Sequence, residues 1–209
     1  MKNSTFRYSR DCLALTAFGL MGAQSLLVIL SWLLSATRME GVRSLLSSEG
    51  IRWFFGSFES IVASPLLVWL ILLLCAWGCM QKSGISLLLP LTSHLSPLTF
   101  RDKLAVRTAF VLLMIYLVIL ALLTLTPHAI LLSATGHLFP SAFSRSLIPI
   151  IAFGICLFSV TFGFVSGRLR SLADILDALS TGIAHGAPLI IVYLFAIQLY
   201  ASLRFVFSF

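Results

Sequence analysis

Five long stretches without an Asp, Glu, Lys or Arg residue constrain this sequence of 209 residues more than any other feature. They cover residues 12–37, 60–81, 108–126, 146–167 and 178–203. Because a helix rises about 1.5 Å per residue, each stretch is long enough to cross the roughly 30 Å of hydrocarbon in a bilayer. The sequence therefore predicts an all-α fold, a polytopic bundle of about five transmembrane helices that forms a single integral membrane domain over residues 1–209.

Composition supports a membrane setting and argues against a nucleic-acid partner. Hydrophobic residues make up 59% of the chain and charged residues 10%, which leaves too little polar surface for a soluble domain. The net charge of +7 would suggest nucleic-acid binding in a soluble protein, but the basic residues lie mainly between the apolar stretches, where they set membrane topology. The predicted surroundings are therefore the lipid bilayer, with no nucleic acid bound.

The sequence lacks the motifs of several large enzyme classes, since GxSxG, HExxH and GxxxxGK[ST] are all absent. The four histidines do not fall at metal-ligand spacing, and the four cysteines form no CxxC motif. Cys75 and Cys79 share a helical face, but two thiols without a nearby His or carboxylate are more simply packing residues. We therefore expect no enzymatic activity, no catalytic residue, no metal site and no cofactor.

Basic residues are distributed unevenly between the two sides of the predicted bundle. With the N-terminus in the cytoplasm, nine of the fourteen Lys and Arg residues fall on the cytoplasmic side. The apolar stretch after Arg10 is longer than the roughly 7–15 residues of a signal peptide, so we expect a retained first helix. The sequence predicts a multi-pass protein of the bacterial inner membrane with a cytoplasmic N-terminus and a periplasmic C-terminus.

Two further segments, residues 83–100 and 127–144, contain no Lys, Arg, Asp or Glu residue and are interrupted by prolines. The simpler interpretation is a loop at the lipid surface. The alternative is a re-entrant segment, which can exist at membrane depth only where its irregular backbone is covered by protein or lines water.

Two amphipathic helices are predicted next to the spans, one capped by Ser48 and one by Ser171. The first precedes the second span and would lie in the outer interface with Trp53 at the depth of the headgroups. The second would lie on the cytoplasmic side before the last span. Their apolar stripes are Ile51, Phe54, Phe55, Phe58 and Val62 in the first helix and Leu172, Ile175, Leu176 and Leu179 in the second.

Three polar side chains within the apolar stretches are the candidate substrate-binding residues, namely Gln24, His185 and Gln198. A charged side chain at the bilayer centre costs about 2.5–3.5 kcal/mol, and the interiors of these stretches contain none. His185 lies where two glycines and a proline weaken a helix, between residues 182 and 188. The simpler interpretation places His185 near the inner interface and gives Gln198 an interhelical hydrogen bond worth about 0.6 kcal/mol.

Small residues recur at four-residue spacing in three of the stretches, a pattern that allows helices to approach closely. The pattern predicts helix packing within a bundle or an oligomer without choosing between them, so the partners are copies of the chain or other membrane subunits. The repeats are Gly19 with Ala23, Ser159 with Gly163 and Gly167, and Gly182 with Gly186.

Two groups of short motifs resemble the p-aminobenzoyl-glutamate transporter (AbgT) family. The first group is SEGIRW at residues 48–53 and QKSGI at residues 81–85. The second is SLIP at residues 146–149, FGFVSG at 162–167, SLAD at 171–174 and LFAIQ at 194–198. The motifs occur in the order and at the approximate spacing that they have in the family.

The resemblance implies a transporter framework in a shortened form. Family members have about twice this length and carry two re-entrant hairpins around the substrate and sodium site, for which residues 86–145 and the end of this sequence leave too little room. No family substrate residue maps onto a matching position. Two hypotheses follow: a non-transporting membrane subunit or scaffold, and a reduced secondary transporter of small organic acids that works as an oligomer.

Overall fold

A computed structural model describes residues 2–37, 41–85, 99–125 and 142–208. This part of the chain consists of helices joined by turns and short loops, and no strand occurs among the described residues. The seven helices are α1 (Lys2–Ala36), α2 (Ser48–Gly56), α3 (Phe58–Val62), α4 (Pro65–Ser83), α5 (Phe100–Leu125), α6 (Ala142–Val165) and α7 (Leu172–Phe207).

The predicted all-α membrane fold is confirmed, because five of these helices are long and apolar enough to cross a bilayer. The segments that meet this criterion are Asp11–Ala36, Pro65–Ser83, Phe100–Thr124, Ser146–Val165 and Leu172–Phe207. Each contains or largely overlaps one of the uncharged stretches. The two proline-interrupted segments fall mostly at residues 86–98 and 126–141, outside the described residues.

The first amphipathic helix is present, but its cap lies one residue earlier than expected. Ser47, not Ser48, has the extended backbone of an N-cap, and its side chain accepts a hydrogen bond of 3.0 Å from the Gly50 N–H. The helix also stops at Gly56 and restarts at Phe58. Sequence periodicity could not separate Ser47 from Ser48, since both are equally good caps.

The second amphipathic helix is the first part of α7 and is not separate from the last span. Ser171 caps it as expected, because its hydroxyl oxygen accepts the Asp174 N–H at 3.2 Å while the Asp174 carboxylate accepts the Ser171 N–H at 3.0 Å. The helix then continues through the glycines and Pro188 without interruption. The helical turns on both sides therefore stabilise the helix enough to offset the low helix propensity of residues 182–188.

The described chain divides into two compact units, and both α4 and α7 contribute a part to each. The first unit comprises Met1–Val68 and Gly186–Phe209. Its core is formed by Leu27 of α1, Leu45 of the following loop and Val206 of α7. The loop is held by the Arg43 N–H, which donates to the Val206 carbonyl at 2.9 Å. Trp53 stacks on Phe205 with ring centroids 4.3 Å apart.

The second unit comprises Trp69–His185. Within it, α5 packs on α6 through the buried Ala105, Ala109 and Phe162. The parts of α4 and α7 in this unit approach until their backbones touch, because a Cβ at Gly78 would overlap the Ala178 carbonyl oxygen. Of the predicted small-residue repeats, the one that contains Gly182 thus lies at a close helix contact, whereas an added Cβ at Gly19 would meet no atom within 4 Å.

Candidate functional site

The polar side chains inside the first unit meet on facing sides of α1 and α7. The Gln24 side-chain Nε2 donates a hydrogen bond of 2.9 Å to the Ser202 hydroxyl oxygen. Gln198 lies one helical turn before Ser202 and therefore on the same face of α7. It is only 7% exposed. The structure thus places two of the three candidate residues along one helix pair and adds Ser202, which the sequence did not single out.

These amides carry more hydrogen-bonding capacity than the described residues satisfy. The Oε1 atom of Gln24 and both the Oε1 and Nε2 atoms of Gln198 are buried without a hydrogen-bond partner among the described residues. A buried polar group left unpaired costs about 1–3 kcal/mol. Two acceptor oxygens and one NH₂ group match a water molecule, which can donate twice and accept from the NH₂ group. A cation would suit the oxygens but would be repelled by the NH₂ group.

An apolar groove of about 390 Å³ lies along the same two helices. Its far end, at Met21 and Phe195, is one turn before Gln24 and Gln198. The Gln24–Ser202 hydrogen bond follows the groove-lining segment on both helices, so α1 and α7 run parallel here. The lining residues are Leu13, Ala14, Ala17, Phe18 and Met21 of α1 and Pro188, Ile191 and Phe195 of α7.

The third candidate, His185, is not part of this cluster. It belongs to the second unit, where its Nδ1 atom lies 2.8 Å from the Thr181 carbonyl oxygen one turn earlier on the same helix. Its side chain is exposed on the surface. Gln24 and Gln198 therefore lie at the contact between α1 and α7, and His185 does not.

Replacing Gln198 with leucine is expected to raise the unfolding free energy of the purified chain by about 1 kcal/mol or more, because two unsatisfied buried atoms disappear at similar volume. Ser202→Ala should lower it by about 1 kcal/mol, since Gln24 loses its acceptor. Denaturant-induced unfolding in mild detergent measures both. A clear loss of stability in Gln198→Leu would show that the amide has a partner in solution and would contradict the expectation.

A second groove, of about 380 Å³, lies within the second unit between α4, α5 and α6. The Ser159 hydroxyl at its wall is buried and has no hydrogen-bond partner among the described residues. Tyr116 also lines the groove, but its hydroxyl donates to the Ile150 carbonyl at 3.0 Å. With one free hydroxyl and otherwise apolar walls, this groove offers little to a charged solute.

Arg168 links three helix ends at one end of the second unit through its guanidinium group. Its Nη1 atom donates to the carbonyl oxygens of Ser83 and Gly84 at 3.1 and 3.3 Å. Its Nη2 atom lies 3.3 Å from the Asp102 carboxylate. The guanidinium also covers the Phe162 ring, 5.3 Å from the centroid. One side chain therefore joins the ends of α4 and α6 to the start of α5, a role that counting basic residues for topology did not reveal.

No group of three or more His, Cys, Asp or Glu side chains that could hold a metal ion occurs in the described part of the chain. The buried polar side chains there are Ser, Thr and Gln only, and none is charged. They are Ser31, Ser44, Ser83, Thr124, Ser159, Gln198 and Ser202.

The profile of the AbgT putative transporter family matches residues 90–206, more than half of the chain. The matched region contains the motifs at residues 146–198 but not those at residues 48–53 and 81–85. No curated protein and no solved structure matches the chain.

Proposed function

This chain belongs to the AbgT putative transporter family, and we propose that within the family it acts as a non-transporting membrane subunit, a scaffold built from framework helices that assembles with other membrane chains. The proposed location is the bacterial inner membrane, with the N-terminus in the cytoplasm and the C-terminus in the periplasm. The parallel course of α1 and α7 supports termini on opposite faces, and the excess of basic residues supports their assignment. We propose no enzymatic activity.

The observation that carries this proposal is the lack of buried charge in the described spans. An organic acid held at the membrane midplane needs cationic or several amide donors, because its carboxylate must be paired there. The described interior offers two glutamines and a few hydroxyls. Arg168, which is partly buried, already pairs with Asp102 and with two carbonyl groups.

The surface proposed for assembly is the open face of α1 around Gly19. A Cβ added at Gly19 or at Gly22 would meet no atom within 4 Å. By contrast, Gly78 and Gly182 are already filled by helix contacts within the second unit. Small residues that remain open on a membrane helix are where another helix can approach closely. Large apolar side chains flank this face, including Leu15, Leu26, Ile29 and Leu30.

Gly19→Leu is expected to weaken assembly at least about tenfold, which corresponds to 1.4 kcal/mol, because the new side chain keeps a second helix away. The measurement is cross-linking in native membranes followed by size analysis in mild detergent. Gly56→Leu is the matched control, because Gly56 is equally open but lies outside α1. If both variants assemble as well as the unchanged chain, the α1 face is not the assembly surface.

The experiment that tests the function combines purification and transport. Purification of the unchanged chain in mild detergent should give a stable complex with copies of itself or with another membrane chain. Liposomes containing that complex should not take up labelled p-aminobenzoyl-glutamate or related organic acids above protein-free liposomes. Uptake by the chain alone would overturn the scaffold proposal.

A reduced secondary transporter is the second candidate. It is favoured by the amide groups of Gln24 and Gln198, which lie between α1 and α7 with unsatisfied hydrogen-bonding atoms. Buried amides without partners are what an empty polar site presents, and an apolar groove of about 390 Å³ ends beside them. Uptake that is lost in Gln198→Leu while the variant remains folded would support this candidate. Uptake that Gln198→Leu leaves unchanged would place the route elsewhere.

A further inference from the structure

Three of the four cysteines come together inside the second unit. Cys75 and Cys79 lie one turn apart on α4, and Cys156 of α6 packs against the cluster of buried side chains that contains Cys79. Cys12 is exposed on α1 in the first unit. The sequence showed only the first two as neighbours, because the contact with Cys156 joins residues far apart in the chain.

The surroundings of the Cys79 and Cys156 pair are apolar. Cys79 is completely buried, in a cluster with Leu169 and Ala178. A thiolate complex of a monovalent soft metal would carry net negative charge, which such surroundings disfavour. A disulfide is neutral and satisfies both sulfur atoms without a further ligand. The apolar surroundings therefore favour oxidation over metal binding at this pair.

We propose that Cys79 and Cys156 form an oxidisable dithiol that closes to a disulfide between α4 and α6. The two S–H bonds break, one S–S bond of about 2.05 Å forms, and two protons and two electrons leave. A lipid-soluble two-electron oxidant of the quinone class accepts both and becomes the quinol. Cys156 is partly exposed, so it reacts with the oxidant first, and the buried Cys79 then attacks the activated sulfur.

The bond would fix one wall of the groove in the second unit. Met80 and Ile155, the chain neighbours of the two cysteines, both line that groove. Lys82, one turn after Cys79, forms an exposed ion pair with Asp177 at 2.7 Å, so the dithiol lies within a turn of the water-exposed end of α4. Oxidation therefore locks two helices together beside the groove, and a water-soluble reductant reaching this end reopens it.

The test uses the full-length chain with Cys12→Ala, reconstituted in lipid vesicles and treated with molecular iodine, which becomes two iodide ions. Proteolysis and mass spectrometry should show one linked peptide pair, joining Cys79 to Cys156, lighter by two hydrogen atoms and restored by dithiothreitol. Adding Cys75→Ala should leave this product unchanged. Adding Cys79→Ala or Cys156→Ala should abolish it.

Two results would overturn the proposal. One is a product that joins Cys75 to Cys156 or to Cys79, since the reactive contact would then be a different one. The other is the absence of any linked pair when a lipid-soluble maleimide labels Cys156 under the same conditions, because the oxidant would have had access. Folding of each variant is checked by its elution in mild detergent, so a missing product cannot be attributed to unfolding.

Discussion

Replacing Gly182 with alanine, a change of one methyl group, is expected to destabilise the chain by about 3 kcal/mol or more. The added Cβ would overlap the carbonyl oxygen of Leu74 and lie 2.8 Å from the Gly78 nitrogen. These are backbone atoms of α4, so they can move only if the two helices separate. Overpacking of this kind costs about 1–3 kcal/mol and occasionally more. Helix propensity predicts the opposite sign, because alanine is favoured over glycine by about 1 kcal/mol.

Gly56→Ala is the matched control for this change. It makes the same substitution in a helix outside the proposed assembly surface, where no atom lies within 4 Å of the new Cβ. Its unfolding free energy should be unchanged or slightly higher, and the chain should elute as one species. Thermal unfolding in mild detergent, with the folded fraction from size-exclusion chromatography, compares the two variants. Equal stability of Gly182→Ala and the unchanged chain would show that α4 and α7 do not pack this closely.

The sequence predicted the helical membrane fold well because its strongest signal is physical and local. A stretch without charge that spans the hydrocarbon must be helical, since no water is available to the backbone. This reasoning placed all five spans. It did not predict that the helix after Ser171 and the last span form one helix, because Gly182 and Pro188 lower helix propensity locally. Continuity is decided by the packed turns on either side, which a propensity argument does not include.

The candidate site was predictable in part. Gln24 and Gln198 stood out because amides in an apolar stretch need partners, and they do lie on one helix pair. His185 stood out by the same argument but belongs to the other unit and contacts its own helix. Ser202 and Cys156 were missed because their importance comes from contacts between distant parts of the chain. A single sequence carries no signal for such pairs.

The second large effect is expected for Arg168→Ala, which should destabilise the second unit by about 2–3 kcal/mol. Truncation leaves the carbonyl oxygens of Ser83 and Gly84 without this donor and the Asp102 carboxylate without its ion pair. Hydrogen bonds to charged groups contribute about 1.5–3 kcal/mol each. The expected total loss of stability is smaller than the sum of these separate contributions. The reason is that the Arg168 and Asp102 side chains are 29% and 15% exposed, so water partly replaces the lost partner. Unfolding in mild detergent measures the change.

Two comparisons distinguish the specific contacts of the Arg168 guanidinium from a general effect of positive charge. Lys82→Ala removes an ion pair whose side chains are 45% and 61% exposed. The unfolding free energy should therefore fall by less than about 1 kcal/mol. Arg168→Lys keeps the charge but has a single ammonium group, which cannot reach two carbonyls and a carboxylate at once. We therefore expect Arg168→Lys to recover less than half of the loss. Full recovery would mean that positive charge at this position, and not the fork of the guanidinium, holds the three helix ends together.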